Sequence, residues 1–127
     1  MTPLVVGVGG AIGAIARYYL SDWMRVAAGQ GLPWGTFVVN VAGSFALGLL
    51  LVWLQTAAPS DHVRQFAAIG VLGSFTTFST FSYETVTLIR AGEVVRAGGY
   101  ALGSLTVGVL AVMAGIGLAM AMVGSRA

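Results

Sequence analysis

The sequence predicts an all-α membrane protein that has four transmembrane helices in one domain covering residues 1–127. Only 8% of the residues are charged and the mean hydropathy is +0.92, whereas soluble domains carry about 25% charged residues. Four segments are also long and apolar enough to cross a bilayer, which takes about 20 helical residues. A chain of this length is sufficient for one domain.

The four predicted spans cover about residues 4–24, 34–55, 65–89 and 97–123. The first lacks the basic start of a signal peptide and is followed by further apolar segments, so we expect it to be retained. Short polar or glycine-rich connections join the spans, which predicts that neighbouring helices are antiparallel. An even number of spans puts both termini on the same side of the membrane.

The arginines give little information about orientation. Arg64 and Arg126 lie on the side of the termini, whereas Arg25, Arg90 and Arg96 lie on the opposite side, with Arg17 one turn deeper. Positive charge favours the cytoplasmic side, but this excess is small. Two alternatives stay open: one orientation fixed by the small excess, or insertion in both orientations, which permits an antiparallel homodimer.

Glycine is abundant, with 19 residues, and several glycines occur in small-xxx-small pairs. The pairs are Gly9 with Gly13, Ser44 with Gly48, Gly99 with Gly103, and Ser104 with Gly108. Such pairs let helix backbones approach closely in lipid. Because four spans form a bundle with little interior, these faces predict that association continues between subunits.

The inventory of side chains argues against an enzyme. The chain has no cysteine and no lysine, and His62 is its single histidine. This removes thiol chemistry, the P-loop lysine and a histidine pair for zinc. The arginines form no basic run, so nucleic-acid binding is not expected either.

Polar residues recur on three predicted spans. Thr36, Asn40 and Ser44 share one helix face, as do Tyr100 and Ser104, because side chains four residues apart align. The third span contains GSFTTFSTFSYE, with three Phe, three Thr and three Ser. These stripes have two interpretations: hydrogen bonds that hold the bundle together, or a narrow polar path.

The chemistry of that path favours a small, strongly hydrated anion. The amide and hydroxyl side chains can donate hydrogen bonds, and the edge of a phenyl ring is electropositive. Phe78 and Phe81 share a helix face, where they are either anion-facing rings or ordinary core aromatics. Arg17 and Glu84 are the ionisable groups inside apolar runs; they either reach the interface separately or pair.

Four motifs in order resemble the Fluc (CrcB-type) fluoride channels over nearly the whole chain. GVGGAIGAIARY is similar to the family's first helix and WGTFVVNVAGSFALG to its second, which is centred on an asparagine. GVLGSFTTFSTFSYET resembles the most specific motif of the family, and GGYALGS resembles the fourth-helix signature. The resemblance implies an antiparallel, dual-topology homodimer in which each protomer has four helices and a broken third helix.

The resemblance also implies roles for particular residues. The fluoride pathway would be lined by Asn40, Phe78, Phe81, Tyr100, Ser104 and Thr36. Arg17 would lie near a vestibule and Glu84 would support helix geometry. The backbone carbonyls of Gly73 and Thr76 would hold a structural Na⁺ at the contact between subunits. Ser74, Phe75 and Gly108 depart from residues that are frequent in the family.

The function implied is a fluoride-selective channel in the bacterial plasma (inner) membrane. Passive export would lower cytoplasmic fluoride and protect the cell from its toxicity. One alternative is a small dual-topology drug or cation exporter, against which the lack of an acid in the middle of the first span argues. The other is a non-transporting membrane scaffold, which needs close helix packing but no aligned polar stripes.

Overall fold

The computed structural model describes residues 1–29 and 31–124, and this part of the chain is helical throughout apart from short connections. The elements are α1 (Thr2–Ala28), α2 (Trp34–Ala57), α3 (Asp61–Arg64), a π-helical segment (Gln65–Leu72), α4 (Gly73–Phe75), α5 (Phe78–Arg90) and α6 (Val94–Gly124). Arg126, which enters the charge balance above, lies outside the described residues.

Within the described ranges, three helices are long and apolar enough to cross a membrane, namely α1, α2 and α6. Pro3 lies in the first turn of α1, where its missing N–H costs no helical hydrogen bond. The region predicted as the third span, residues 65–89, consists of the π-helical segment, α4, the extended residues Thr76 and Thr77, and most of α5.

The π-helical segment packs backbone to backbone on α1. A Cβ added at Gly9 would lie 2.5 Å from the Phe66 carbonyl oxygen, and one added at Gly70 would lie 2.9 Å from the Cα of Gly9. At Gly13 an added Cβ would collide with the Val71 carbonyl oxygen. The first small-residue pair therefore gives close approach inside the protomer.

The centre of the protomer lies between α2 and α6. Gly48 and Gly115 let these two helices approach, and a Cβ added at Gly48 would lie 3.1 Å from the Cα of Gly115. The buried apolar residues are Val39, Val52, Leu54, Ala97, Tyr100 and Ala119, three of them on each of these helices. In contrast, a Cβ added at Gly99 or Gly103 on α6 would meet nothing within 4 Å.

Helical structure stops for two residues between α4 and α5. Thr76 (φ −82°, ψ 154°) and Thr77 (φ −148°, ψ 116°) are extended between α4 and α5. Thr77 is the N-cap of α5, and its side-chain oxygen accepts a hydrogen bond from the Thr80 N–H. Threonine is favoured at this position because it satisfies an N–H group that has no partner within the helix.

Candidate ion pathway

The side chain of Asn40 bonds twice to the extended backbone between α4 and α5. Its Nδ2 donates to the Thr77 carbonyl oxygen at 3.0 Å, and its Oδ1 accepts from the Thr77 N–H at 2.8 Å. The Asn40 amide thus both donates to and accepts from the backbone of Thr77, and these two bonds hold α2 against this segment. One of the two N–H groups of the Asn40 amide is left over after this pairing.

The backbone carbonyls of Gly73 and Thr76, like that of Phe75, accept no hydrogen bond from the described residues. Within residues 1–29 and 31–124, the turn around α4 includes the bond from Thr76 N–H to the Leu72 oxygen, but none to the oxygens of Gly73 or Thr76. Gly73 is exposed in the protomer and Thr76 is half-buried. Backbone groups left free at membrane depth need protein, water or an ion as a partner.

Arg17 contacts the same region from α1. Its Nε donates to the Ser74 carbonyl oxygen at 3.0 Å. Of the two interpretations given for Arg17 and Glu84, pairing is absent: the ion pairs among the described residues join Arg25 to Asp22 and Arg96 to Glu93.

Arg17 and Glu84 nevertheless line one cavity, which we call the vestibule cavity. It has a volume of about 650 Å³ and lies between the end of α1, the start of α2 and α5. Thr36 and Thr80 also line it, as do residues of the loop between α1 and α2. The vestibule cavity therefore extends from the loop between α1 and α2 to polar side chains deeper in the bundle.

Glu84, Tyr100 and Phe81 form a second cluster between α5 and α6. The Tyr100 hydroxyl donates to Glu84 Oε1 at 3.0 Å. The rings of Phe81 and Tyr100 lie 5.2 Å apart at an angle of 46°. Tyr100 is only 5% exposed and Thr36 on α2 is 6% exposed, so both hydroxyls lie inside the protomer.

Phe78 lies on the outside of the protomer, where 79% of its surface is exposed. Its ring contacts that of Phe81, with centroids 5.8 Å apart and an interplanar angle of 47°. Phe78 also lines a cavity of about 350 Å³, the lateral groove. The other lining residues of the lateral groove include Asn40, Ser44, Gly73 and Thr76.

Ser104 is the one predicted pathway residue whose polar atom is buried without a partner. Its Oγ has no hydrogen bond, as is also true of Gln65 Oε1. Buried hydroxyls are almost always hydrogen-bonded, so the unpartnered Ser104 hydroxyl is expected to bind water or an ion. By contrast, Ser82, Thr85 and Thr87 on α5 donate to carbonyls of their own helix four residues earlier.

The predicted residues thus fall into two groups. Asn40, Gly73, Thr76 and Phe78 meet at the lateral groove, whereas Arg17, Thr36 and Glu84 meet at the vestibule cavity. Phe81 and Tyr100 connect the groups through their ring contacts and the hydrogen bond to Glu84.

Sequence reasoning missed the roles of Thr77 and the Ser74 carbonyl. Thr77 carried a usable signal, since threonine just before a helix is a favoured N-cap. The acceptor role of the Ser74 carbonyl has no signature in the sequence, because it is a backbone group contacted by a residue 57 positions away.

Comparison with known proteins assigns the family. The family described as "CrcB-like protein, Camphor Resistance (CrcB)" matches residues 4–116 of this chain. The chain belongs to the CrcB-like family. With three long apolar helices, this CrcB-like protein is a multi-pass protein of the bacterial inner membrane.

Several relatives of this CrcB-like protein carry the name "Fluoride-specific ion channel FluC". One from Thermus thermophilus is 48% identical over 121 residues, which cover 95% of each chain. One from Roseiflexus sp. is 45% identical and one from Rhizobium meliloti is 42% identical, and each match covers 94% of this chain and 97% of the relative. The likeness to these three relatives therefore covers at least 94% of this chain and of each relative.

Proposed function

We propose that this protein is a fluoride-selective channel that passively exports fluoride across the inner membrane and so protects the cell from fluoride. The observation that carries the proposal is the nearly full-length likeness, at 42–48% identity, to relatives named fluoride-specific ion channels. The protein moves the ion down its gradient and performs no reaction on it.

The pathway residues suit an anion that must lose its water. Asn40 keeps one N–H group after bonding to Thr77. Ser104 has a buried hydroxyl without a partner, and a donor of this kind can replace water around fluoride. Phe78 and Phe81 add electropositive ring edges, and Thr36 and Tyr100 complete the polar lining.

A homodimer with antiparallel subunits completes the pathway. Phe78 is 79% exposed in one protomer and lines an open groove together with Asn40. A ring that faces lipid cannot meet an anion, so the proposal requires a second subunit that covers the groove. The small excess of arginine on one side is compatible with insertion in both orientations.

The third span is interrupted and holds a structural Na⁺ at this contact. The carbonyls of Gly73 and Thr76 fit such an ion, because both lack a donor in the described part of the chain and both line the lateral groove. Rings of carbonyl dipoles are a usual environment for alkali cations in membranes. The cation would supply positive charge beside the anion path.

Arg17 and Glu84 act at the vestibule cavity. Arg17 donates through Nε to Ser74 and retains its other N–H groups and its charge, which favour the entry of anions. Glu84 accepts from the Tyr100 hydroxyl and so fixes the orientation of that ring beside Phe81. The carboxylate has a structural task there and carries no proton across the membrane.

Fluoride efflux from liposomes tests the function. Vesicles that contain the purified protein and are loaded with fluoride should empty rapidly, as measured with a fluoride-selective electrode, while vesicles loaded with chloride should keep it. Equal efflux of the two anions would contradict selectivity. Export of a drug cation without fluoride efflux would favour the exporter, and no flux of either would favour a scaffold.

Asn40→Asp tests the pathway in the same assay. The substitution replaces a donor by a charge that repels the anion, and it also removes the donor to the Thr77 carbonyl. We expect efflux to fall by at least about 100-fold, which corresponds to roughly 3 kcal/mol. Efflux at the wild-type rate would remove Asn40 from the pathway.

The rings are tested by Phe78→Leu and Phe81→Leu, which keep apolar volume but remove the ring edge. We expect each to reduce fluoride efflux about ten-fold or more, which corresponds to roughly 1.4 kcal/mol, while the protein elutes in size-exclusion chromatography as the wild type does. If both variants conduct normally, the two rings serve packing alone.

A further inference from the structure

Two backbone donors beside the proposed cation site are diverted from their usual acceptors. In a continuous α-helix each N–H donates to the carbonyl four residues earlier. Thr77 N–H would then satisfy the Gly73 oxygen, and Thr80 N–H would satisfy the Thr76 oxygen. Neither of these two carbonyls has a hydrogen-bond donor among the described residues.

Each of the two donors has a different partner. The Thr77 N–H donates to Asn40 Oδ1 at 2.8 Å, and the Thr80 N–H donates to Thr77 Oγ1 at 3.4 Å. The Thr77 hydroxyl in turn donates to Thr80 Oγ1 at 3.0 Å, which orients its oxygen within this N-cap. One side chain from α2 and one from the segment itself therefore account for both free carbonyls.

We propose that Asn40 and Thr77 are positioning residues for the cation site, because their side chains take the two N–H donors that would otherwise occupy the Gly73 and Thr76 carbonyls. The inference rests on the structural Na⁺ of the proposed function. It gives Asn40 a second task beside donation to the anion. It assigns to Thr77 a role that is independent of the anion path.

The arrangement also explains why the hydroxyl of Thr77 is needed in addition to the extended backbone. Without an acceptor at Thr77 Oγ1, the Thr80 N–H is a free donor in the first turn of α5. If α5 were extended by one turn, the Thr76 carbonyl would become the acceptor of this N–H, because helical N–H groups donate to the carbonyl four residues earlier. The cap therefore keeps that carbonyl available to the cation.

The test compares Thr77→Val, which is nearly isosteric but has no hydroxyl, with Thr77→Ser, which keeps the cap. The thermal unfolding midpoint of the purified full-length protein is titrated with sodium chloride against N-methylglucamine chloride at constant ionic strength. Sodium that binds only the folded protein raises the midpoint. The control Thr56→Val removes a hydroxyl that donates to the Val52 oxygen in α2, far along the chain from Thr77.

We expect Thr77→Val to raise the sodium concentration that gives half of the stabilisation by about ten-fold or more, the usual effect of losing a partner that orients a metal ligand. Thr77→Ser and Thr56→Val should stay within about two-fold of the wild type, since both retain the cap. If Thr77→Val is not recovered folded, Thr77→Ala and Thr77→Asn replace it, the first without a cap and the second with one.

Equal sodium dependence in the capped and uncapped variants would overturn the inference. An absence of any sodium effect on the wild type would overturn it together with the cation site. Fluoride efflux by the wild type, measured separately, shows in either case whether the channel function itself stands.

Discussion

The segments before and after Thr76 and Thr77, namely the π-helical segment and α5, pack in opposite ways. The π-helical segment lies backbone to backbone on α1, with Gly70 buried against Gly9. No residue of α5 is buried, and Phe78 and Tyr83 are 79% and 65% exposed. One part therefore belongs to the interior of the protomer, whereas the other forms its open side.

The difference separates a region whose packing is satisfied inside the chain from a region that is left open. Close glycine contacts leave no room for a side chain, let alone an ion, between α1 and the π-helical segment. The lateral groove, in contrast, holds amide, hydroxyl, carbonyl and ring groups on a side that none of the described residues covers. Residues at the first contact should control folding, and those on the open side should control assembly and transport.

The largest effect is expected from Gly13→Ala. The new Cβ would collide with the Val71 carbonyl oxygen and lie 3.1 Å from the Cβ of Ser74, so α1 would have to move away from the third span. Overpacking of this kind costs about 1–3 kcal/mol. We expect a lower yield of folded protein and a lower unfolding midpoint, measured by size-exclusion chromatography and circular dichroism.

Gly7→Ala is the matched control, because a Cβ at Gly7 meets nothing within 4 Å. The same glycine-to-alanine change in the same helix should leave the midpoint unchanged or slightly raised. An equal drop in the unfolding midpoint of both variants would mean that α1 tolerates alanine poorly at any position. The effect could then not be assigned to the contact with the π-helical segment.

Val86→Trp on α5 is expected to lower stability less than Gly13→Ala but to prevent the subunits from associating. Val86 is 51% exposed. A bulky apolar side chain is tolerated by lipid but blocks a close subunit contact. We expect the protomer to stay helical while the dimer dissociates, as measured by light scattering coupled to size-exclusion chromatography in detergent.

Leu4→Trp provides the comparison, since Leu4 near the start of α1 is 67% exposed but does not line the lateral groove. It should stay dimeric. A Val86→Trp protein that remains dimeric and conducts fluoride would show that α5 faces lipid, which contradicts the subunit contact proposed for this side.

The smallest effect is expected from Ser82→Ala. The Ser82 hydroxyl donates to the Phe78 carbonyl within α5 at 3.0 Å, a bond that adds little to helix stability. Fluoride efflux should stay within about two-fold of the wild type, a change of roughly 0.4 kcal/mol. A large loss of flux would move Ser82 from the helix surface into the ion pathway.

Composition and segment length were enough to predict the helical fold, since charge is rare and the apolar runs are long. The π-helical turns over Gln65–Leu72 were not predicted, because a continuously apolar run has no periodicity that distinguishes wide turns from α-helical ones. α6 begins at Val94, three residues before the predicted fourth span, a difference that arises because hydropathy does not mark helix caps.

The sequence was enough to predict which residues belong to the site, but not which hydrogen bonds they form. Asn40 stands out in an apolar helix, yet its pairing with the Thr77 peptide joins residues 37 positions apart. The partner of Arg17 is a backbone carbonyl, which every residue carries and no pattern marks. The pairing of Tyr100 with Glu84 likewise depends on how α5 meets α6.

The exposure of Phe78 has a consequence for the cell during biosynthesis. A newly inserted single chain leaves this ring and the groove beside it uncovered, so under the proposed dimer it contributes only one wall of the ion pathway. With the subunit contact proposed above, surplus or unassembled chains do not leak ions. The permeability of the membrane then rises with the square of subunit abundance at low expression, which makes assembly itself a safeguard.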